Sequence, residues 1–372
     1  MSDILNGSSE RADTAHWVPE PVEGPRHTLW VVPVADLGGV ARHVIDVTRV
    51  GIPGWRVTVL CPEGPLADRL RAQGSAVVAA PFGPDAGPLK SMRTLRRTAA
   101  TIRPDIVHSH LAYADIINAW TPLPSGTRRF TTEHGIAGDD GVYHRSSIQS
   151  RLMALVHRLR FPRFAGVIAV AEATKRVMIQ KWKVRQHIEV IPNGVDLPDG
   201  VEPRNPSTVT GMRVLSLSRL APEKRIDSLL DAFALLRSEH SDATLTIAGL
   251  GPTADALRAQ VARLGLADVV SFLGHINAHD AMDEADVVAQ LSVWENCSYT
   301  LLDAVARGLR VVASDVGGNR EIVGPRVLPP RFTTRDVVDA VKNGTAAHDQ
   351  MRPNDIATAV ARLSKAYERA VR

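Results

Sequence analysis

Cysteine is almost absent. The 372-residue chain has two, Cys61 and Cys297, too few for a disulfide framework, so a reducing cytoplasm is the expected compartment. Aromatic residues make up only 5% and the basic residues are dispersed, which argues against a nucleic-acid binder. No apolar run approaches the roughly 20 residues that a membrane-spanning helix needs. Residues 1–27, MSDILNGSSERADTAHWVPEPVEGPRH, contain no apolar core of the signal-peptide type and read as a polar, poorly ordered leader. A dinucleotide fingerprint is missing too. The turn after the first apolar run is ADLGGV (Ala35 to Val40), not G-x-G-x-x-G, and Leu60 is followed by Cys61 and Pro62 with no acid for a ribose. A nicotinamide-dependent dehydrogenase is thereby disfavoured.

What is present is ordinary in amount and regular in arrangement. Hydrophobic residues account for 44% and charged residues for 23%, with a formal charge of +4. A mildly basic balance suits a polyanionic small ligand or an anionic membrane face alike. Apolar runs alternate with segments of helical spacing: strands are expected at 28–34, 56–60, 76–80, 105–108, 129–132 and 166–170, and again at 212–217, 244–249, 269–274, 286–291 and 310–315. Such alternation predicts parallel sheets covered by helices on both faces. A segment rich in proline, LPDGVEPRNPSTVTG, separates the two series. The expected fold is therefore α/β, with two doubly wound Rossmann-like domains facing a central cleft. Residues 28–197 form the first domain, 198–211 a linker, 212–352 the second domain and 353–372 a C-terminal helix that crosses back to the first.

Ligands of such sheets bind beyond the carboxyl ends of the strands, so the residues that follow each strand matter most. Gly38 and Gly39 follow the first strand and open a helix, where amides can meet an anion or simply make a tight turn. His108 and His110 end the fourth strand, and His134 ends the fifth. Two histidines at i and i+2 hint at metal, but no third ligand is near in sequence, so no metal is expected. Arg219 and Lys224 bracket a proline turn, with Lys224 expected to open a helix. Cations there oppose the helix dipole unless a diphosphate binds between them. Gly249 and Gly251 follow another strand, and Gly274, His275 and Ile276 the next; each group serves equally as a turn or as a ligand contact. In Ser292 to Gly308, SVWENCSYTLLDAVARG, Ser298 is placed as an N-cap, which turns the amides of Ser298, Tyr299 and Thr300 into the cleft. Glu295 stands just ahead and Asp303 lies in the second helical turn, a pair suited to polyol hydroxyls. Val316 to Asn319 (VGGN) is read as a further phosphate-friendly turn, and Ile191 to Asp196 (IPNGVD) as a turn at the domain junction.

In order, the chain carries GGVARHV, DIVHSHL, TEHG, VIPNGVD, SRLAPEK, AGLGP, FLGHI, WENCSYTLLDA and ASDVGGNREIV. From about Thr28 to the C-terminus it resembles the retaining, nucleotide-sugar-dependent glycosyltransferases of family 4, which have the two-domain GT-B fold. The resemblance implies that Arg219 and Lys224 hold the donor diphosphate, that Glu295 contacts the donor sugar and that Asp303 binds the ribose. It implies that backbone around His275 and Ile276 reads the base, that Gly38 and Gly39 close over the phosphates, and that His110 faces the anomeric carbon. The first domain would bind the acceptor, and no metal or cofactor is needed, the nucleotide sugar being a substrate. Three positions depart from the family pattern: Asp303 stands where the second acid is usually Glu, the loop between the acids is NCSYT rather than glycine-rich, and Arg225 follows the lysine where glycine is frequent.

The implied reaction is hexosyl transfer from a nucleotide diphosphate sugar, UDP-linked in preference to GDP-linked, to an acceptor hydroxyl with retention. Two carboxylates in one loop-helix unit are not a glycosidase pair, which would flank the scissile bond. The competing readings are an epimerase or phosphorylase on the same scaffold and a catalytically silent sugar-nucleotide binder. Two basic segments, 91–103 and 144–163, are read as solvated helix faces, with contact to anionic lipid headgroups as the alternative.

Overall fold

The computed structural model describes residues 24–135, 155–198, 212–343 and 353–371. Most of the expected leader and linker lies outside these residues, as do positions 144–154 of the second basic segment and residues 344–352 of the second domain.

Two wholly parallel sheets organise the chain. The first has seven strands: β1 (Arg26–Val31), β2 (Trp55–Cys61), β3 (Ala76–Ala79), β4 (Ile106–His110), β5 (Arg128–Glu133), β6 (Gly166–Ala169) and β7 (Glu189–Val190), in the order β3-β2-β1-β4-β5-β6-β7. The second has five: β8 (Arg213–Leu217), β9 (Thr244–Ala248), β10 (Val270–Gly274), β11 (Val287–Gln290) and β12 (Arg310–Ala313), in the order β10-β9-β8-β11-β12. In each, the order reverses beside the first strand, leaving a crevice between β1 and β4 and another between β8 and β11, where ligands of doubly wound sheets bind. Strand β1 begins inside the stretch assigned to the leader. Strand β7 was not foreseen, since two residues make no readable run.

Burial explains why these runs are continuous rather than alternating. All five residues of β4 and all four of β11 are buried, as expected when helices cover both faces. In the first domain these are α1 (Gly39–Val50), α2 (Pro65–Ala72), α3 (Pro88–Ile102), α4 (Ala112–Trp120) and α5 (Glu172–Trp182). In the second they are α6 (Ile226–Glu239), α7 (Ala254–Arg263), α8 (Ala278–Asp283), α9 (Tyr299–Ala306), α10 (Asn319–Val323) and α11 (Thr334–Asn343).

The last helix, α12 (Ile356–Val371), buries Ile356, Val360, Leu363 and Tyr367 in one stripe. That stripe joins Trp30, Val44, Val47, Ile52 and Trp55 in the core of the first domain. Its outer side is tied down by Arg362 to the Val190 carbonyl at 2.5 Å, by Ser364 to the Pro53 carbonyl at 2.7 Å, and by an Arg369–Glu189 ion pair. The chain leaves the first domain at Val195 and returns at Asp355, and these two residues form a parallel bridge. Gly194 has no room for a side chain there: a Cβ would sit 2.6 Å from the Ile356 Cα.

Candidate active site: the cleft between the domains

The two crevices open into one cleft of about 880 Å³. From the first domain it is lined by Gly38, Gly39, Arg42, His134 and Asn193. From the second it is lined by Ser218, Arg219, Lys224, Gly249, His275, Ile276, Gln290, Trp294, Glu295, Ser298, Tyr299, Thr300 and Asp303.

The second-domain wall is charged and internally paired. Lys224 forms an ion pair with Glu295, whose carboxylate also accepts from Ser292 Oγ at 2.8 Å. Arg219 pairs with Glu223 and stays two-thirds exposed. Lys224 does not open a helix as expected: it ends the short 3-10 turn Pro222–Lys224, and α6 starts two residues later at Ile226. Between them Arg225 takes the left-handed conformation, φ 49° and ψ 41°, which costs a residue other than glycine roughly 1–2 kcal/mol. Its guanidinium bonds the Pro330 carbonyl at 3.0 Å and lies 5.3 Å from the Phe332 ring centre. It does not line the cleft.

Ser298 is the N-cap of α9, accepting from Leu301 N at 3.3 Å, and Gln290 in turn accepts from the Ser298 hydroxyl at 2.8 Å. The glycines divide into two kinds. A Cβ on Gly249 would lie 1.9 Å from the Ser218 carbonyl oxygen, and one on Gly251 2.2 Å from that of Leu220. These two are therefore glycine because neighbouring strand-end loops pack together, and Gly251 does not line the cleft. Gly317 and Gly318 likewise press on the carbonyls of Glu295 and Asn296, at 1.6 and 2.1 Å from a built Cβ. The VGGN turn thus supports the Glu295 loop instead of facing a phosphate. Gly38 and Gly39 have nothing within 4 Å; no packing demands them, and the space above them is the cleft.

Asp303 is buried and gripped from across the cleft. Arg42 of α1 holds both its oxygens, Nη2 to Oδ1 at 2.9 Å and Nη1 to Oδ2, and stacks 4.6 Å from the Tyr299 ring centre. Other contacts join the two domains: the Glu321 carboxylate accepts from the amides of Glu172 and Ala173, each at 2.8 Å, at the start of α5. Asn193, in the junction turn, donates to the Cys297 carbonyl at 3.1 Å.

Apart from Arg42, the first-domain wall is uncharged, and a cluster of aromatic rings backs it. His110 does not reach the cleft: its side chain is wholly buried, and its Nδ1 bonds His134 Nε2 at 2.9 Å, so His134 is the imidazole on the wall. His43 from α1 completes a group whose ligand atoms lie within 4.8 Å of one another. The third imidazole comes from a helix, 67 residues before His110, which the local spacing could not reveal. Burial pushes His43 down to about 4 and holds His108, His110 and His134 well below the ordinary histidine range. Burial also raises the Cys297 thiol to about 12, so the cleft cysteine carries no thiolate at neutral pH. Behind His134, Arg160 bridges Asp115 and Glu133 at 3.1 and 3.0 Å, all three fully buried; burial raises Glu133 to about 7.

Sequence reasoning missed Arg42, His43, Asn193 and Trp294. Arg42 and His43 stand in the quoted GGVARHV stretch, one helical turn past Gly39, and that spacing was the available signal.

Residues 37–198 match the family model for Glycosyltransferase Family 4, and residues 203–372 that for glycosyl transferases group 1. The glycogen synthase of Mycobacterium tuberculosis is 28% identical over 333 residues, covering 79% of this chain and 78% of that protein. An exopolysaccharide phosphotransferase of Streptomyces coelicolor is 33% identical over 172 residues, 44% of this chain; the match spans 18% of that relative. Among solved structures, Anabaena HepE in complex with UDP and glucose superposes with a TM-score of 0.75 at 21% identity, covering 92% of this chain and 99% of that one.

Proposed function

The chain belongs to the two-domain glycosyltransferases of family 4, and from that premise we propose that it moves a hexosyl unit from a UDP-sugar to an acceptor hydroxyl with retention of configuration. One observation carries the reading. Lys224 and Glu295 stand together on the cleft wall beside the capped start of α9, opposite two glycines with open space above them. The HepE structures hold UDP with glucose, or UDP-glucose, which supports a uridine donor.

In this reading the donor separates the resting ion pairs. Lys224 and Arg219 turn to the diphosphate, and the amides of Ser298 to Thr300 meet it at the helix start. Charge that develops on the leaving group is stabilised by donors already in place. Glu295, freed from Lys224, accepts from sugar hydroxyls, and Asp303, freed from Arg42, accepts from the ribose. Backbone at His275 and Ile276 meets the base, and Gly38 and Gly39 cover the phosphates. The role that the resemblance gave to His110 passes to His134, a neutral imidazole facing the sugar with His110 behind it. Transfer proceeds without metal: dialysis against EDTA leaves the rate unchanged, whereas stoichiometric zinc bound to His43, His110 and His134 and required for turnover would overturn this.

The test is nucleotide release from a panel of UDP-, GDP-, ADP- and TDP-sugars, with Lys224→Ala alongside. Release from a UDP-sugar, abolished in the variant, is expected. Phosphate dependence or sugar conversion without acceptor would indicate a phosphorylase or epimerase instead, and a thermal shift without turnover a silent binder.

A peripheral membrane reading has one specific support. Leu155 and Leu159, one helical turn apart, are 49% and 54% exposed, and Arg163 lies over Trp120, 5.4 Å from the ring centre, an arrangement suited to anionic headgroups. Among the described residues no helix is long and apolar enough to cross a membrane. Co-sedimentation with phosphatidylglycerol vesicles but not phosphatidylcholine vesicles, lost in Leu155→Glu/Leu159→Glu, tests it.

A further inference from the structure

We infer that Tyr367, on the last helix, is a positioning residue for the imidazole wall of the cleft, acting through Trp30 and His108. The inference rests on the reading of His134 as the imidazole that faces the donor sugar.

The Tyr367 side chain is fully buried, and its hydroxyl sits between two rings. The Trp30 indole N–H donates to it at 2.9 Å, and His108 Nδ1 lies on its other side. An indole nitrogen can only donate, so the phenol oxygen accepts there. Burial keeps the phenol protonated, and on this inference its proton goes to His108 Nδ1 rather than to Thr28, the other side chain beside the hydroxyl. The imidazole proton of His108 then belongs on Nε2, which reaches Thr132 Oγ1 at 2.8 Å. A single hydroxyl thus sets the tautomer and plane of one ring and anchors the edge of another.

Those two rings are the ones that hold His110. Its ring centre lies 4.4 Å from that of Trp30 and 4.5 Å from that of His108, the latter pair stacked at 28°. Trp30 also lies parallel to His43, at 5.5 Å and 6°. His110 passes its position to His134 through the 2.9 Å bond already described. The route therefore runs from α12 through β1 and β4 to the cleft wall, and every ring on it is in contact with the next. A phenylalanine at 367 would fill the same space but leave a buried indole N–H without a partner and free His108 to change tautomer.

The experiment uses the full chain labelled with ¹⁵N-histidine, with long-range ¹H–¹⁵N spectra reporting tautomers, beside steady-state transfer kinetics. Tyr367→Phe should move His108 from the single Nε2–H form to a mixture and lower kcat about tenfold, the weight of one hydrogen bond, with donor KM within twofold. Thr132→Val, which removes the other partner of the same ring, should shift the tautomer in the same direction with a smaller loss of kcat. Arg369→Ala loosens α12 from outside; it should lower the melting temperature while leaving tautomer and kcat alone. An unchanged His108 tautomer in Tyr367→Phe overturns the inference, whatever happens to the rate. A changed tautomer with kcat intact would instead overturn the catalytic reading of the His134 wall on which it stands.

Discussion

On the first-domain side of the cleft His110 and His134 are imidazoles that burial keeps uncharged, whereas on the second-domain side Lys224, Arg219, Glu295 and Glu223 are charged and paired with one another. The same polypeptide thus builds an imidazole cluster that resists gaining charge, with Arg42 as the cation beside it, and a facing wall that holds charge in exchangeable pairs. The difference teaches where each step of a transfer reaction can occur. A departing diphosphate needs cations that can be released to it, while a sugar gaining positive character needs polar contact without a competing cation. Arg42 and Asp303 form the ion pair that ties the two walls together.

The largest effect should come from the charged wall. Lys224→Ala is expected to lower kcat by about 100-fold or more, as loss of an electrostatic donor does; a loss under tenfold in single-turnover assays would remove Lys224 from the diphosphate site. Next comes the exchange between walls. Arg42→Met leaves Asp303 buried without its partner, and a double-mutant cycle with Asp303→Asn should give a coupling of about 1–3 kcal/mol in urea melts. Small-angle scattering should then show a wider unliganded molecule. Coupling below about 0.5 kcal/mol would make the contact incidental.

The imidazole cluster is tested by acid. The folded pKa of His43, about 4, lies below its unfolded value of 6.5, so the unfolded chain binds more protons between those values. Stability is therefore full above pH 6.5 and lost as pH falls toward 4, by about 1–2 kcal/mol at pH 5 from this group. His108 and His110 act in the same direction. Glu133 works oppositely: raised to about 7, it loses its contribution as pH rises through 7. Glu133→Gln should accordingly steepen the acid-side fall in melting temperature; a flat profile from pH 7 to 5 in that variant would mean the imidazoles are not held neutral. The smallest effect is at Arg225. Arg225→Gly relieves the left-handed backbone and should gain about 0.5 kcal/mol after losing its contact with Phe332, with activity unchanged. A large loss of donor affinity would return Arg225 to the phosphate site.

Much of the fold was legible in the sequence because buried parallel strands leave continuous apolar runs. The runs at 244–249 and 310–315 mark β9 and β12 within two residues, whereas β7 left no run to see. The second-domain lining of the cleft was equally legible, since Arg219, Lys224, Glu295, Ser298 and Asp303 lie in the turns and first helical turns that follow β8 and β11, two to thirteen residues past the strand ends. The first-domain wall was not. His43, His110 and His134 come from three distant elements, and only the sheet order β1-β4-β5 brings them together. The glycines show a different limit: Gly38 and Gly251 look alike in sequence, yet one faces empty cleft and the other a carbonyl. Arg42 shows a third, because its partner lies 261 residues on.

The return of α12 has a consequence for synthesis on the ribosome. Strand β7 ends at Val190 and α12 begins at Ile356, so the first domain emerges with Trp30 and the inner face of α1 uncovered. At about 5–20 residues per second the wait lasts on the order of ten to thirty seconds. During that interval the second domain, whose larger core cluster runs from Val214 to Val341 and whose smaller one adds only Val195 and Leu197 from the segment already made, can complete itself. Nascent chains arrested before Ile356 should thus carry a protease-resistant second domain and a digestible first one, the reverse of the order in which they were made.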